Sequence, residues 1–69
     1  MTALIQVNGE NEALPAGPLS RLLEDKGVDP SARGIAVALN GSVIPRAAWA
    51  RTTLRAGDAV EIVHAKQGG

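Results

Sequence analysis

The sequence contains no cysteine, and Trp49 is its only aromatic residue. The lack of thiols excludes disulfide bonds, thiolate catalysis and thiolate-ligated zinc. One aromatic side chain is too few for the stacking platforms that bind single-stranded nucleic acid. Seven basic residues balance seven acidic ones, so the basic surface typical of nucleic-acid binding is also missing. We therefore expect no nucleic-acid partner and no cysteine chemistry.

Long apolar runs are absent as well. None approaches the ~20 residues of a membrane-spanning helix, and the first residues lack the pattern of a secretion signal. We therefore expect a small soluble protein of the cytoplasm with no membrane partner. The single histidine, His64, has no Ser, Asp or thiol beside it, and the seven carboxylates show neither metal-ligand spacing nor catalytic pairing. Without a glycine-rich phosphate loop either, the sequence predicts no catalytic residue, no metal site and no cofactor bound by this chain.

The first half of the chain predicts a hairpin followed by a helix. Strict alternation over residues 3–7 indicates a strand, and Asn8–Gly9 indicates a tight turn into a second strand near 11–14. Pro18 suits the first turn of a helix, and Gly27 suits its end. Between them, apolar residues at helical spacing form one stripe that should lie against the sheet: Leu19, Leu22 and Leu23.

The second half predicts three more strands. Residues 35–39 form a near-continuous apolar run, as in a central strand, and Asn40–Gly41 turns the chain into a short strand at 42–44. Residues 46–50 suit one helical turn, and alternation returns at 59–63. This element order is typical of an α+β protein with a β-grasp fold. We expect a mixed sheet of four to five strands with one main helix across it and the first and last strands at its centre.

The chain ends in Gly68–Gly69. A frayed end is one interpretation, because chain termini are commonly disordered. The chemical interpretation is that a glycine terminus has no Cβ and can enter a narrow channel in a partner. With a pKa near ~3.5, its carboxylate is ionised and able to attack the α-phosphate of ATP. Because this chain has no phosphate-binding loop, a partner enzyme would have to supply the nucleotide site.

Two stretches, residues 35–49 and 54–63, carry a family resemblance together with the terminal glycines. The first contains a V-x-P-R-x-x-W element, formed by Val43, Pro45, Arg46 and Trp49, and the second contains the Gly57–Asp58 turn. With these features the chain closely resembles the thiamine-biosynthesis sulfur carrier family. The first thirty residues match that family only in pattern.

The resemblance implies a ubiquitin-like β-grasp domain over residues 1–64 and a flexible tail over residues 65–69. It also implies a covalent carrier without catalytic residues of its own, and so not an enzyme. An adenylyltransferase, using ATP and Mg, would convert Gly69 to an acyl-adenylate and then to a thiocarboxylate. The sulfur would come from a donor such as a cysteine desulfurase, and thiazole synthase would accept it. The residues before Gly69 would thread into the partner's active site: Lys66, Gln67 and Gly68.

Partner docking is expected at Leu4 and Val63, which alternation places on the sheet face opposite the helix. If the first and last strands are neighbours, these two residues form one apolar patch beside the tail. Arg46 is a further docking candidate through a partner carboxylate, with a solvated or locally hydrogen-bonded arginine as the alternative. Trp49 is expected in the core.

Two other functions share the predicted fold and tail. The small subunit of molybdopterin synthase is a related sulfur carrier, although the Pro45–Trp49 segment favours the thiamine branch. A ubiquitin-like modifier would instead use Gly69 to form isopeptide bonds, and a plain interaction domain would leave it unmodified. A stable thiocarboxylate would favour a carrier, and conjugates to lysines would favour a modifier.

Overall fold

The computed structural model describes residues 3–29 and 31–64. Within them the chain forms five strands, one α-helix and one 3₁₀ helix in the order predicted from the sequence. The predicted α+β class is therefore confirmed. The elements are β1 (Leu4–Val7), β2 (Glu10–Ala13), α1 (Leu19–Asp25), β3 (Ile35–Leu39), β4 (Ser42–Val43), the 3₁₀ helix (Arg46–Arg51) and β5 (Ala59–His64).

The strands form one mixed sheet in the order β2-β1-β5-β3-β4. β1 and β5 are parallel, with Gln6 level with Ala59, and the other neighbouring strands are antiparallel. The first and last strands therefore pair at the centre of the sheet, as predicted. Because β5 is the central strand and His64 is its last residue, the C-terminal segment is attached to the middle of the sheet.

Element boundaries differ from the prediction by one residue in several places. β2 begins at Glu10 because the two-residue turn brings this residue opposite Val7. β5 extends to His64 because that residue still pairs with Ile35 of β3. β4 is shorter than predicted and ends at Val43, although the Ile44 N–H still donates to the Val37 carbonyl at 2.8 Å. The chain then turns at Pro45 into the 3₁₀ helix.

Both Asn–Gly turns are formed as predicted. Asn8 and Asn40 each have a φ of 51°, and the glycines that follow have φ values of 85° and 84°. Asparagine and glycine tolerate this left-handed region, which explains why these residues occupy the turns. Each asparagine side chain also accepts a hydrogen bond from the backbone of β5, from Ile62 in one case and from Ala59 in the other.

The core lies between the sheet and α1. Trp49 is buried and its indole N–H donates a hydrogen bond to the Ile44 carbonyl oxygen at 3.0 Å, so its predicted place in the core is confirmed. The helical stripe predicted from the sequence is buried in full. Ten apolar side chains form this core among the described residues: Ile5, Val7, Leu19, Leu22, Leu23, Val28, Val37, Trp49, Leu54 and Val60.

The end of α1 is a Schellman motif centred on Gly27. This glycine has a φ of 77°, and its N–H donates to the Glu24 carbonyl at 3.0 Å. The next N–H, that of Val28, donates to the Leu23 carbonyl at 2.9 Å. This pair of bonds is the pattern that ends a helix on a left-handed residue. The motif turns the Val28 side chain back into the core, below the end of β5.

Candidate functional site

The residues predicted to carry the chemistry lie outside the part of the chain that the structure describes. They are the modification site, Gly69, and the residues predicted to thread into a partner: Lys66, Gln67 and Gly68. The division into a domain over residues 1–64 and a flexible tail over 65–69 stays a prediction for the same reason. The described part of the site is the end of β5 and the residues around it.

The end of β5 is held unequally on its two sides. β3 pairs with β5 along its whole length, up to the pair between Ile35 and His64. β1 pairs only with the first part of β5, through Gln6 with Ala59 and Val7 with Val60. Beyond that point, among the described residues, only the Asn8 side chain continues the contact, since its Oδ1 accepts the Ile62 N–H at 2.8 Å. The last residues before the tail are therefore fixed mainly from the β3 side.

Leu4 and Val63, the predicted docking residues, both lie exposed on the sheet face opposite α1. They do not form the single patch expected from the sequence. The Gly57 N–H donates to the Leu4 carbonyl at 2.8 Å, so Leu4 lies level with residue 57 of the chain leading into β5. From residue 57 to Val63 is six residues of extended chain, about 20 Å. The expectation of one patch is wrong because alternation gives the face of a residue and not its level along the sheet.

The apolar surface beside the end of β5 is made by two valines. Val63 lies opposite Ala36, and Val43 of β4 lies opposite Ala38, two residues further along the same face of β3. Val43 is the most exposed large apolar residue of the described chain, at 72%. We call this surface, formed by Val43, Val63, Ala36 and Ala38, the valine patch.

Val43 is not among the docking residues predicted from the sequence. A signal for it was present, because a two-residue Asn40–Gly41 turn pairs Leu39 with Ser42 and hence Ala38 with Val43. Such pairs share a face, and Ala38 belongs to the face opposite the core residue Val37.

Arg46 contacts the only aromatic ring. Its guanidinium carbon lies 5.1 Å from the centre of the Trp49 ring, within the range of a cation–π contact. The pKa of the Asp29 carboxyl is lowered chiefly by hydrogen bonds from the Ser31 hydroxyl and backbone N–H, and less by the positive charge of Arg46. The Pro-Arg-x-x-Trp element thus forms a local structure on the helix side of the sheet. A docking role for Arg46 stays a prediction.

A cleft of about 240 Å³ opens beside the end of β5, on the helix side of the sheet. Its apolar lining comes from Val7, Val28 and Ile62, and its polar lining includes His64. It is also lined by three charged residues: Glu10, Glu12 and Lys26. The Lys26 ammonium forms an ion pair with the Glu12 carboxylate, which links the end of α1 to β2. The cleft therefore combines an apolar lining with a charged border next to the start of the predicted tail.

Within residues 3–29 and 31–64, no three histidine, cysteine or acidic side chains lie together so that they could hold a metal ion. In the same part of the chain, no helix has the length and apolar character needed to cross a membrane.

Comparison with known proteins gives a consistent result. The model of the ThiS family matches residues 3–69 of this chain. Among solved structures, the crystal structure of the thiamine biosynthesis protein ThiS from Geobacter metallireducens is similar, with a TM-score of 0.77 and 33% identity over 96% of this chain and 99% of that one. The solution structure of a thiamine biosynthesis protein from the same organism has a TM-score of 0.72 and 33% identity over 100% of this chain and 88% of that one. No curated protein gives a significant match.

Proposed function

The chain belongs to the ThiS family of thiamine-biosynthesis sulfur carriers, and from this premise we propose that the Gly69 carboxylate is the group that carries the sulfur. The family predicted from the sequence is confirmed, and so is the ubiquitin-like β-grasp fold. Membership also implies that the protein acts together with partner enzymes of thiamine biosynthesis. Small carriers of this type are generally not catalytic, and we propose that this one is not an enzyme.

The proposed chemistry takes two steps at the Gly69 carboxylate group, the first at its oxygen and the second at its carbon. A Gly69 carboxylate oxygen attacks the α-phosphate of ATP in an adenylyltransferase that uses Mg, and pyrophosphate leaves. The terminal sulfur of a partner persulfide, supplied by a donor such as a cysteine desulfurase, then displaces AMP and forms an acyl disulfide. A second partner thiol attacks this disulfide, forms a new disulfide with the partner sulfur and releases the thiocarboxylate. Thiazole synthase takes the sulfur from this group when it forms the thiazole ring. The chain offers no phosphate-binding loop, so both steps need the partner's catalytic groups.

The observation that carries this proposal is the extent of the family match, which runs through the terminal glycines to Gly69. The position of β5 supports it. The tail follows β5, which is the central strand of the sheet. Five residues follow His64, and fully extended they span at most about 18 Å. We propose that Lys66, Gln67 and Gly68 cross this distance inside the partner, where the absence of a Cβ at the two glycines permits close passage.

We propose the valine patch as a docking surface for the partner, with Val63 as its member nearest the tail. An exposed apolar surface of this kind is typical of a protein–protein contact. Leu4 remains a proposed docking residue about 20 Å away along the sheet, at the far end of the same face. Arg46 remains a proposed contact on the other side of the sheet.

Mass spectrometry of the intact chain tests the proposed chemistry. The chain is incubated with the adenylyltransferase, ATP, Mg and a sulfur donor. We expect a mass gain equal to the exchange of one oxygen for sulfur, located at the C-terminal peptide. The matched control is the chain without Gly69, which should keep its circular dichroism spectrum and gain nothing. An unchanged mass of the wild-type chain would show that the proposal is wrong.

A further inference from the structure

On the side of β1, no described strand pairs with the end of β5. The hydrogen bonds of β5 show which of its backbone groups point towards β3 and which point towards β1. The Ala59 carbonyl accepts from Asn40 on the β3 side, whereas the Val60 carbonyl accepts from Asn8 on the β1 side. Because the direction alternates along a strand, the carbonyl of Ile62 and both backbone groups of His64 also point to the β1 side. β1 ends at Val7, so none of the described strands lies beside these three groups.

The Asn8 side chain occupies only the first position along this edge. It accepts the Ile62 N–H, which is the group that a continued β1 would have bound next. The groups beyond it form a short open ladder at the start of the tail. An unpaired strand edge of this kind is a template for an added strand from another chain, in which main-chain hydrogen bonds give affinity.

The cleft described above lies under this edge and would receive a side chain of an added strand. A strand that continues the line of β1 directs alternate side chains to the helix side of the sheet. On that side, the floor of the cleft is apolar and is formed by Val7, Val28 and Ile62. At the border, Glu12 is already paired with Lys26, while Glu10 forms no ion pair with a described residue. An apolar floor beside the Glu10 carboxylate suits a lysine or arginine, whose aliphatic stem packs below its charged end.

The length of the tail limits which proteins can reach this edge. An enzyme that binds the Gly69 carboxylate in its active site has that site within about 18 Å of His64. Its surface therefore covers the end of the sheet where β5 is open. This step rests on the proposed function, since it takes the adenylyltransferase as the protein that encloses the tail.

We propose that an extended segment of the adenylyltransferase adds to the sheet as a strand beside Ile62–His64, with a lysine or arginine side chain in the cleft next to Glu10. The added strand holds the end of β5 from its second side. It thereby fixes the direction in which the tail enters the active site.

A backbone substitution tests the added strand directly. His64→Pro removes the backbone N–H on the open edge, whereas His64→Ala removes the same imidazole and keeps the N–H. We expect the Kd for the purified adenylyltransferase, measured by isothermal titration calorimetry, to be about tenfold higher for His64→Pro than for His64→Ala. Equal Kd values for these two variants would overturn the proposal.

A charge reversal tests the cleft and does not depend on the proline variant folding. Glu10→Lys places a cation where the partner's cation binds, and Glu24→Lys makes the same change in net charge on α1. We expect Glu10→Lys to raise the Kd about tenfold and Glu24→Lys to change it less than about twofold. Hydrogen exchange of the complete chain should also show protection of the His64 amide in the complex. Equal effects of the two lysine variants, or an unprotected His64 amide, would overturn the proposal.

The mass measurement separates this inference from the proposed function. If the wild-type chain gains sulfur while the edge and cleft variants bind like their controls, only the strand addition is overturned. If the wild-type chain binds the enzyme but gains no sulfur, the proposed function fails and the inference fails with it. A dimer of the free chain that Glu10→Lys dissociates would identify a second copy as the occupant of the edge, and would also overturn the proposal.

Discussion

The Asn8 side chain accepts a hydrogen bond from the backbone N–H of Ile62 at 2.8 Å, which joins residues 54 positions apart. The first turn of the chain is thereby attached to the strand that leads to the C-terminus. Since Asn8 also has a φ of 51°, one residue serves both the turn and the long-range contact. This dual role makes the position sensitive to the choice of side chain.

We predict that Asn8→Gly destabilises the domain by about 1 kcal/mol, the usual net contribution of one hydrogen bond, because glycine tolerates the turn but offers no acceptor. Asn8→Asp keeps both the acceptor and the tolerance of positive φ, and should retain most of the stability. Urea unfolding of the two variants gives the comparison. If Asn8→Gly is as stable as the wild type, the contact with Ile62 contributes nothing measurable.

We predict that Leu23→Ala lowers the free energy of unfolding by about 2–5 kcal/mol, because Leu23 is fully buried between α1 and the sheet. Domains of this kind have a total stability of only about 5–15 kcal/mol, so the change should be large. Leu4→Ala is the matched control on the exposed face and should change stability by less than about 0.5 kcal/mol. Comparable losses in thermal or urea unfolding of both variants would contradict the described burial.

We predict that Val43→Asp combined with Val63→Asp reduces kcat/KM for adenylation at least about tenfold, because two charges in the valine patch oppose an apolar partner surface. The unfolding midpoint should change little, since both side chains are exposed. Leu4→Asp places one such charge on the same face about 20 Å away, and each single valine variant is the comparison for it. An equal loss from Leu4→Asp would favour a docking surface that covers the whole face.

We predict that Arg46→Lys lowers stability by about 0.5–1 kcal/mol, because lysine lacks the planar guanidinium that lies over the Trp49 ring. If the role of Arg46 is local, kcat/KM for adenylation should stay within about twofold of the wild type. A variant of normal stability with a large fall in kcat/KM would instead assign Arg46 to partner binding. Unfolding and steady-state kinetics on the same sample distinguish the two.

We predict that Gly69→Ala slows thiocarboxylate formation at least about tenfold, because a Cβ at the terminal residue meets the walls of a channel built for glycine. The unfolding free energy should remain within about 0.5 kcal/mol of the wild type, since the change lies beyond the last strand. Mass spectrometry at timed intervals gives the rate. Unchanged kinetics would show that the partner does not require glycine at the terminus.

The sequence predicted those parts of the fold that depend on local physics. The bounds of β3 follow from its apolar run, and both Asn–Gly turns follow from the tolerance of these residues for positive φ. The place of Trp49 in the core follows from the need of a small domain to bury its only large aromatic ring.

What the sequence did not predict depends on pairing between distant segments. Alternation placed Leu4 and Val63 on one face of the sheet. The distance between them depends on the register of β1 against β5, which are strands from opposite ends of the chain. The open edge at Ile62–His64 arises in the same way, from β1 ending before β5 does. Neither feature can be predicted from the local pattern of residues.

The parallel pairing of β1 with β5 also has a mechanical consequence. A force applied to the end of β5 along the strand axis acts at right angles to the bonds of an antiparallel ladder such as the one with β3. Such a force loads the bonds of both ladders together in shear, whereas a force across an edge strand would open its bonds one after another. We expect the domain to bear tension from the C-terminus better than tension from β4. An enzyme that draws the terminus into a narrow channel would thus pull on a strand that is paired on both sides, not on an edge strand.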